Sequence, residues 1–462
     1  MQPQQHLVII GNGIAGITLA QQVRLRSSCS ITLISSESAT HFSRPALMYL
    51  YMGQMRYKDI TPYADWYYRE QRFKALHDKV LSVSFASKTL YLQHNEPIQY
   101  DVLVLATGSY PSFYDWPDYK AIKGVQGLVT LQDLELLESQ TAAIDHAVIV
   151  GGGLIGIELA EMLRSRGKSV TMLVREKFFW SNNLPDEEAK LVSDHIKAHS
   201  IKLLLQEELE GIETDATGHV TAVKTNKGNF IPCQFVGITT GVKPNIALAK
   251  DTGIETDTGF LVDEYFNTNI KDVYAIGDCA QFREVVAGLP VVEQLWYTAR
   301  IHGETLAVTL TGKRTSYKRG ILFNSAKFLD LEYQSYGIVP SVLDHIKTGV
   351  LYWEHTNRKK AIRILYDKNT EEFVGINLLG IRYRHDLCHY WLEQHYSIHQ
   401  IMQELTAANF DMEFLRHYEA ALVKQYLSVF PDKTLPHKTT WWDLRAKYRL
   451  YRDITNRKAA HD

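Results

Sequence analysis

The chain has 462 residues, 45% of them hydrophobic and 22% charged, which excludes a disordered or low-complexity protein and gives length for two or three domains with separate cores. Fifty Lys and Arg against fifty-two Asp and Glu leave a formal charge of -2, so there is no broad positive field for nucleic acid or an anionic membrane. Four cysteines, Cys29, Cys233, Cys279 and Cys388, show no CxxC spacing, which argues against a zinc ribbon and fits a reducing, cytoplasmic setting.

The chain passes from Met1 through Gln5 straight into the strand pattern Leu7 to Ile10, without a basic and apolar leader, so no export signal is expected. Gly11-Asn12-Gly13-Ile14-Ala15-Gly16 then opens a helical pattern to about Arg26, followed by a strand pattern from Ser30 to Ile34. Strand, glycine turn, helix and strand together make the GxGxxG spacing informative. Gly11 permits the tight turn, Gly13 lets backbone amides approach a pyrophosphate, and Gly16 lets helix and strand pack closely. Glu37, 21 residues beyond Gly16, stands where an acid accepts ribose hydroxyls.

An aromatic-rich segment from Tyr49 to Tyr68, two meander strands (Val80 to Phe85, Thr89 to Gln93) and the strand Asp101 to Ala106 come next. The opening plan then repeats 140 residues on: Ala147 to Val150, Gly151-Gly152-Gly153-Leu154-Ile155-Gly156, a helix to Arg166 and a strand from Ser169 to Val174. This apolar stretch is broken by glycines, Glu158 and Glu161, and does not read as a membrane span. At the end of its second strand, Arg175 offers a partner for a 2′-phosphate and tips the reading toward NADPH, while Glu176 argues for NADH; both remain open. A second meander, Gly211 to Cys233, precedes Phe235 to Thr239.

After about Thr315 the pattern changes to short strands (Ile321 to Phe323, Ala361 to Tyr366, Phe373 to Leu379) and helical runs (Asp386 to Glu393, Ile398 to Leu405). The fold expected is α/β, with two Rossmann-like dinucleotide-binding domains and a C-terminal α+β domain. His385 and His389 share a helical face near Cys388 and His395, but without a second cluster they read as surface or capping residues, and no metal site is expected. From Lys433 the tail carries eight basic residues against three acids. Trp441, Leu444, Tyr448 and Tyr451 form one helical stripe among them, which suits either an interfacial membrane helix or a helix docked on its own body.

Five motifs in order resemble the pyridine nucleotide-disulfide oxidoreductase superfamily, flavoproteins of glutathione reductase-like architecture. They are the two fingerprints; Tyr100 to Gly108, ending Ala106-Thr107-Gly108; Phe235 to Asn245, containing Gly241; and Asn269 to Ala280, containing Gly277-Asp278. The resemblance implies FAD at the first fingerprint and NADH or NADPH at the second. It implies an Asp278 that holds a ribityl hydroxyl and a Val80 whose backbone meets the adenine. Its implied domains are 1–112 with 245–314 for FAD, 113–244 for NAD(P), 315–430 as an interface domain through which a homodimer is expected, and 431–462 as the tail.

Within the superfamily, Phe42-Ser43-Arg44-Pro45-Ala46-Leu47 and Gln294 to Ala299 are similar to the branch without a redox disulfide, which includes ferredoxin and rubredoxin reductases and the flavin portion of nitrite reductases. That similarity lays Arg44 and Pro45 along FAD, sets Trp296 beside the flavin, and brings Glu158 toward nicotinamide and flavin, though Glu158 also reads as an exposed helix-start carboxylate. The branch's flavin-side lysine is Tyr49 here. No cysteine lies after Glu37 where disulfide reductases of the superfamily place two, or between Phe42 and Gly53 where its peroxide- and coenzyme A-disulfide-reducing members keep one. The expected function is an FAD-dependent NAD(P)H reductase passing electrons to an iron-sulfur protein or a quinone. The alternative is a nicotinamide-sensing flavoprotein that resembles apoptosis-inducing factor and acts through its protein contacts.

Overall fold

The protein is described by a computed structural model covering residues 1–2, 4–113, 116–284, 290–410 and 418–434. The tail helix expected beyond Lys433 lies almost wholly outside these residues. Contacts divide the chain into two compact units, Met1–Met172 with Glu208–Arg319, and Leu173–Glu207 with Gly320–Asp462.

In the first unit, β1 (His6–Ile10), α1 (Ile14–Arg24) and β2 (Ser30–Ser35) form the opening βαβ turn. β1 is central in a five-stranded parallel sheet whose order is Val273–Ala275, Val102–Leu105, β1, β2, Phe73–His77. Leu7, Val8 and Ile9 are fully buried, as a parallel strand covered on both faces requires. One face packs on α1 and the helix Trp296–Leu310, which meet so closely that a Cβ on Gly303 would lie 2.6 Å from the Ala15 carbonyl oxygen. The other face packs on an antiparallel meander, Val80–Ser84, Thr89–Leu92 and Ile98–Gln99, through Val8, Ile10, Val83, Leu90 and Leu103.

The second fingerprint repeats this construction. β3 (His146–Val150) leads into α2 (Leu154–Ser165) and then β4 (Ser169–Val174), which carries the chain into the second unit. β3 pairs in parallel with Phe235–Ile238, which pairs with Val125–Gln126. The fold is thus α/β with parallel Rossmann-like units.

The second unit contains α3 (Asp186–Ala198) and a five-stranded antiparallel sheet opened by the hairpin β5 (Phe323–Phe328) and β6 (Leu331–Gly337). The sheet continues with Phe373–Leu379, Ala361–Asp367 and Thr348–Glu354. Helices His385–Glu393, Ile398–Glu404 and Glu419–Val429 close over it through Trp391, Tyr383, Cys388 and Tyr426. Cys388 is therefore core. His385 packs against the Phe323 and Tyr336 rings at 4.6 and 5.4 Å. Arg363 is buried and pairs with Glu188 at 2.9 Å, where burial raises the Glu188 pKa against the pull of the guanidinium. The first strand starts at Phe323, not Ile321, because the left-handed Gly320 turns the chain just before it.

Candidate dinucleotide site

Both fingerprints solve one steric problem in the same way. Gly11 has φ +114°, and a Cβ there would lie 2.0 Å from the Ala106 carbonyl oxygen. A Cβ on Gly16 would lie 2.1 Å from the Gly11 carbonyl. Likewise Gly151, at φ +129°, and Gly156 press against Thr239, whose carbonyl and Oγ1 would stand 2.5 and 2.8 Å from the added carbons. By contrast, a Cβ on Gly13 or Gly153 meets nothing within 4 Å. These two positions open outward, at helix starts where no side chain caps the first amides. Uncapped N–H groups with an open approach suit an anion.

The first fingerprint opens on a cavity of about 620 Å³, inside the usual range for small-molecule and cofactor sites. Of the residues singled out in the sequence, Gly11, Gly13, Ala15, Glu37, Arg44, Pro45, Val80, Ala106, Thr107, Gly108, Gly277, Asp278, Trp296, Ile155 and Glu158 line it. Gly16, Gly151, Gly153, Leu154, Gly156 and Gly241 do not line it, and Arg175 lies in the second unit. Tyr49 is also outside the lining. The two crossovers meet beneath it: Ser109–Pro111 pairs antiparallel with Val242–Pro244, and Thr107 Oγ1 donates to the Asn245 carbonyl at 2.6 Å.

Glu37 has partners the sequence did not announce. Its oxygens accept Arg44 Nη1 and Nη2 at 2.8 and 2.6 Å, and Oε1 also accepts the Leu131 amide at 2.9 Å. The pair braces the cavity wall. Burial opposes charge on Arg44, but Glu37 and more distant Asp278 and Asp133 outweigh it and hold the guanidinium protonated. Asp278 accepts Ser109 Oγ at 3.0 Å; burial raises its pKa, against the pull of Ser109 and Arg44.

Two groups at the site, His41 and His302, carried no sequence signal. His41 Nδ1 lies 2.8 Å from the Asn12 carbonyl and therefore donates to it. Burial favours neutral His41, so its Nε2 is the acceptor. His302, fully buried, accepts the Gly277 amide on Nδ1 at 3.1 Å and turns Nε2 toward Glu293 at 3.6 Å, while Tyr317 donates to Glu293 at 2.6 Å. Gln294 lines the cavity, and its Nε2 is shielded from solvent without a protein partner. The open cradle at Gly13, on a cavity whose lining also carries Asp278 and Trp296, fits a pyrophosphate with a ribityl chain and ring beyond it. The residues present therefore fit a bound flavin dinucleotide.

A parallel sheet with a glycine turn opening on such a cavity, and a second glycine-turn βαβ element in the same chain, mark the class of dinucleotide-dependent oxidoreductases. Residues 5–303 match the family described as pyridine nucleotide-disulphide oxidoreductase, and the chain belongs to that family. Its cofactors are FAD and NAD(P)H. The chain is 30% identical over 318 residues to a nitric oxide reductase FlRd-NAD(+) reductase from Escherichia coli, spanning 68% of this chain and 80% of that protein. It is 28% identical over 338 residues to the nitrite reductase [NAD(P)H] of Bacillus subtilis, covering 72% of this chain but only 41% of that longer protein. A ferredoxin reductase crystal structure from Rhodopseudomonas palustris superposes with a TM-score of 0.72 at 25% identity, over 82% of this chain and 91% of that one.

Proposed function

We propose that the chain is an NAD(P)H-dependent flavoprotein reductase that passes electrons to a separate iron-sulfur protein of the ferredoxin or rubredoxin type, without a redox-active disulfide. The observation that carries this reading is that the start of the helix after the second fingerprint lines the cavity on which the first fingerprint opens. Ile155 and Glu158, in the first two turns of α2, line the same space as Gly13, Asp278, Gln294 and Trp296. A nicotinamide held at α2 would therefore lie next to the ring held by the first fingerprint.

Bound FAD would supply the chemistry that turns a hydride from the nicotinamide into a proton and two single electrons, one for each of two acceptor molecules. The chain's own residues then have separable tasks. The α1 amides and Gly13 receive the pyrophosphate, and Asp278, braced by Ser109, receives a ribityl hydroxyl. Gln294 and Trp296, both in the cavity wall, would stand along the ring, and Trp296 remains 37% exposed. Glu158 orients the carboxamide of the nicotinamide. Arg175 receives a 2′-phosphate, which favours NADPH; its Nε–Glu176 contact of 2.8 Å leaves it 66% exposed.

All four cysteines are free and buried, and burial raises the thiol pKa of Cys233 to about 12 and also raises that of Cys279. Neither is a ready thiolate for disulfide exchange. The names of the Escherichia coli and Rhodopseudomonas palustris relatives support a redox-protein acceptor. Among the described residues no helix is long and apolar enough to cross a membrane. A cytoplasmic location, a homodimer formed through the C-terminal region and peripheral membrane contact through residues 435–462 belong to the same proposal.

The test is an anaerobic acceptor panel with both nicotinamides, run on the full chain and on a chain ending at Leu435. Salt-sensitive turnover with a ferredoxin or rubredoxin, unchanged by truncation, supports the reading. Turnover restricted to quinones and lost on truncation replaces the acceptor, and reduction without turnover on any acceptor replaces the enzyme with a redox sensor.

A further inference from the structure

The second unit holds a group of side chains that the reductase reading does not use. His195 and His199 stand one turn apart at the C-terminal end of α3, and Asp330 occupies the two-residue turn between β5 and β6, beside Leu329 at φ +60°. Both imidazole Nε2 atoms converge on one carboxylate oxygen, Asp330 Oδ1, at 2.7 Å from His195 and 2.9 Å from His199.

The hydrogen bond on the far side of His199 makes this arrangement informative. Its Nδ1 lies 2.9 Å from the His195 carbonyl oxygen. A carbonyl only accepts, so Nδ1 carries the proton. Neutral His199 then points the bare lone pair of Nε2 at a carboxylate oxygen. Two electron-rich atoms at that distance repel unless a cation lies between them, and the candidates are a proton or a metal ion.

We propose that His195, His199 and Asp330 form a site for one divalent first-row transition-metal ion, with zinc as its natural occupant. Two neutral imidazoles and a carboxylate are a zinc donor set, and three protein ligands leave a fourth position for water. The Nδ1–H to backbone carbonyl bond of His199 is the outer contact that metal-bound histidines make to fix ring and tautomer. His195 is buried and held by α3, while Asp330 is 68% exposed, so water and metal reach the group from the turn side. The three donor atoms lie within 4.8 Å of one another. Tetrahedral bonds of about 2.1 Å set donors about 3.4 Å apart, so the exposed Asp330 carboxylate retreats by roughly half an ångström, which a two-residue turn permits. The positive charge of Lys359 disfavours a cation at His195, which weakens the site without altering its donors. Among the described residues this is the only group of three or more such ligands. Bound metal ties the end of α3 to the β5–β6 hairpin within one unit.

The test uses the flavin-loaded full chain, stripped with a chelator and titrated with Zn²⁺ by calorimetry, with bound metal counted after dialysis. One zinc per chain is expected. In Asp330→Asn and His199→Ala the affinity falls by at least the roughly 10–100-fold that losing a ligand's hydrogen-bond partner costs, while His94→Ala, a surface control in the first unit, binds as the parent does. Co²⁺ in the parent gives visible bands to the red of the flavin absorption, which both site variants lose. Absence of stoichiometric binding, or equal binding by parent, Asp330→Asn and His199→Ala, overturns the site and leaves the shared cation as a proton.

Discussion

Gly11 and Gly13 share a motif yet have opposite surroundings, and substitution separates their tasks. At Gly11 a methyl group collides with backbone at a left-handed φ, so G11A is expected to lose stability by about 3 kcal/mol or more and to purify without flavin. At Gly13 the methyl enters open space, so G13A is expected to keep the parent's apo-protein melting temperature and lose only flavin affinity. Equal destabilisation of both, measured by calorimetry on apo-protein, would contradict the division. Two further substitutions test the nicotinamide side. E158Q removes a charged hydrogen-bonding group worth about 1.5–3 kcal/mol, so flavin reduction slows roughly 10- to 150-fold with flavin content unchanged; an unaltered rate makes Glu158 a bystander. R175A is expected to lower kcat/KM for NADPH relative to NADH about tenfold, and an unchanged ratio removes Arg175 from cofactor choice.

Gly11, Gly16, Gly151 and Gly156 were legible because close backbone or side-chain neighbours leave no room for a Cβ at these positions. The brace around Glu37 was not. Its carboxylate was expected to face ribose hydroxyls, and its Leu131 partner lies 94 residues away. Local spacing carries no information about such a contact. The same holds for His195 and Asp330, 135 residues apart, whereas His385, conspicuous in sequence with His389, packs against the Phe323 and Tyr336 rings.

Among the elements, the strands of the parallel sheets were readable as continuous apolar runs, since both faces are buried. The C-terminal sheet was read in part. Ala361–Asp367 and Phe373–Leu379 are apolar and central, but Leu331–Gly337 and Thr348–Glu354 alternate buried and half-exposed residues, and their Glu, Gln, Ser and Tyr side chains masked the period. The first meander owes part of its stability to Asp78, which accepts the Lys79, His94 and Asn95 amides and Asn95 Nδ2. Burial alone would raise its pKa, but these donors hold it at about 2. A depressed carboxylate stabilises the fold fully above its unfolded pKa of about 3.9, and the contribution fades as pH falls through about 2. The parent is therefore expected to lose more thermal stability than D78N as pH drops from about 5 to 2.5. Parallel melting curves across that window would remove Asp78 as a source of pH-dependent stability.

For the whole molecule, two dinucleotide units in one chain make sense only if they exchange something. Ile155 and Glu158 of α2 line the cavity of the first fingerprint, as the proposed hydride exchange requires. A net charge of -2 provides no broad steering field, so association with an acidic or basic redox partner depends on local charge near Trp296 and is expected to weaken with salt over a Debye length of about 8–10 Å. Rapid mixing of the flavin-loaded protein with NADPH or NADH under anaerobic conditions, followed at the flavin absorption band, tests the central claim most directly. Bleaching at about 1 s⁻¹ or faster, in the range of ordinary turnover, is expected, with reoxidation on adding a ferredoxin or rubredoxin. Protein that binds no flavin, or flavin that either nicotinamide bleaches only over many minutes, would contradict the claim.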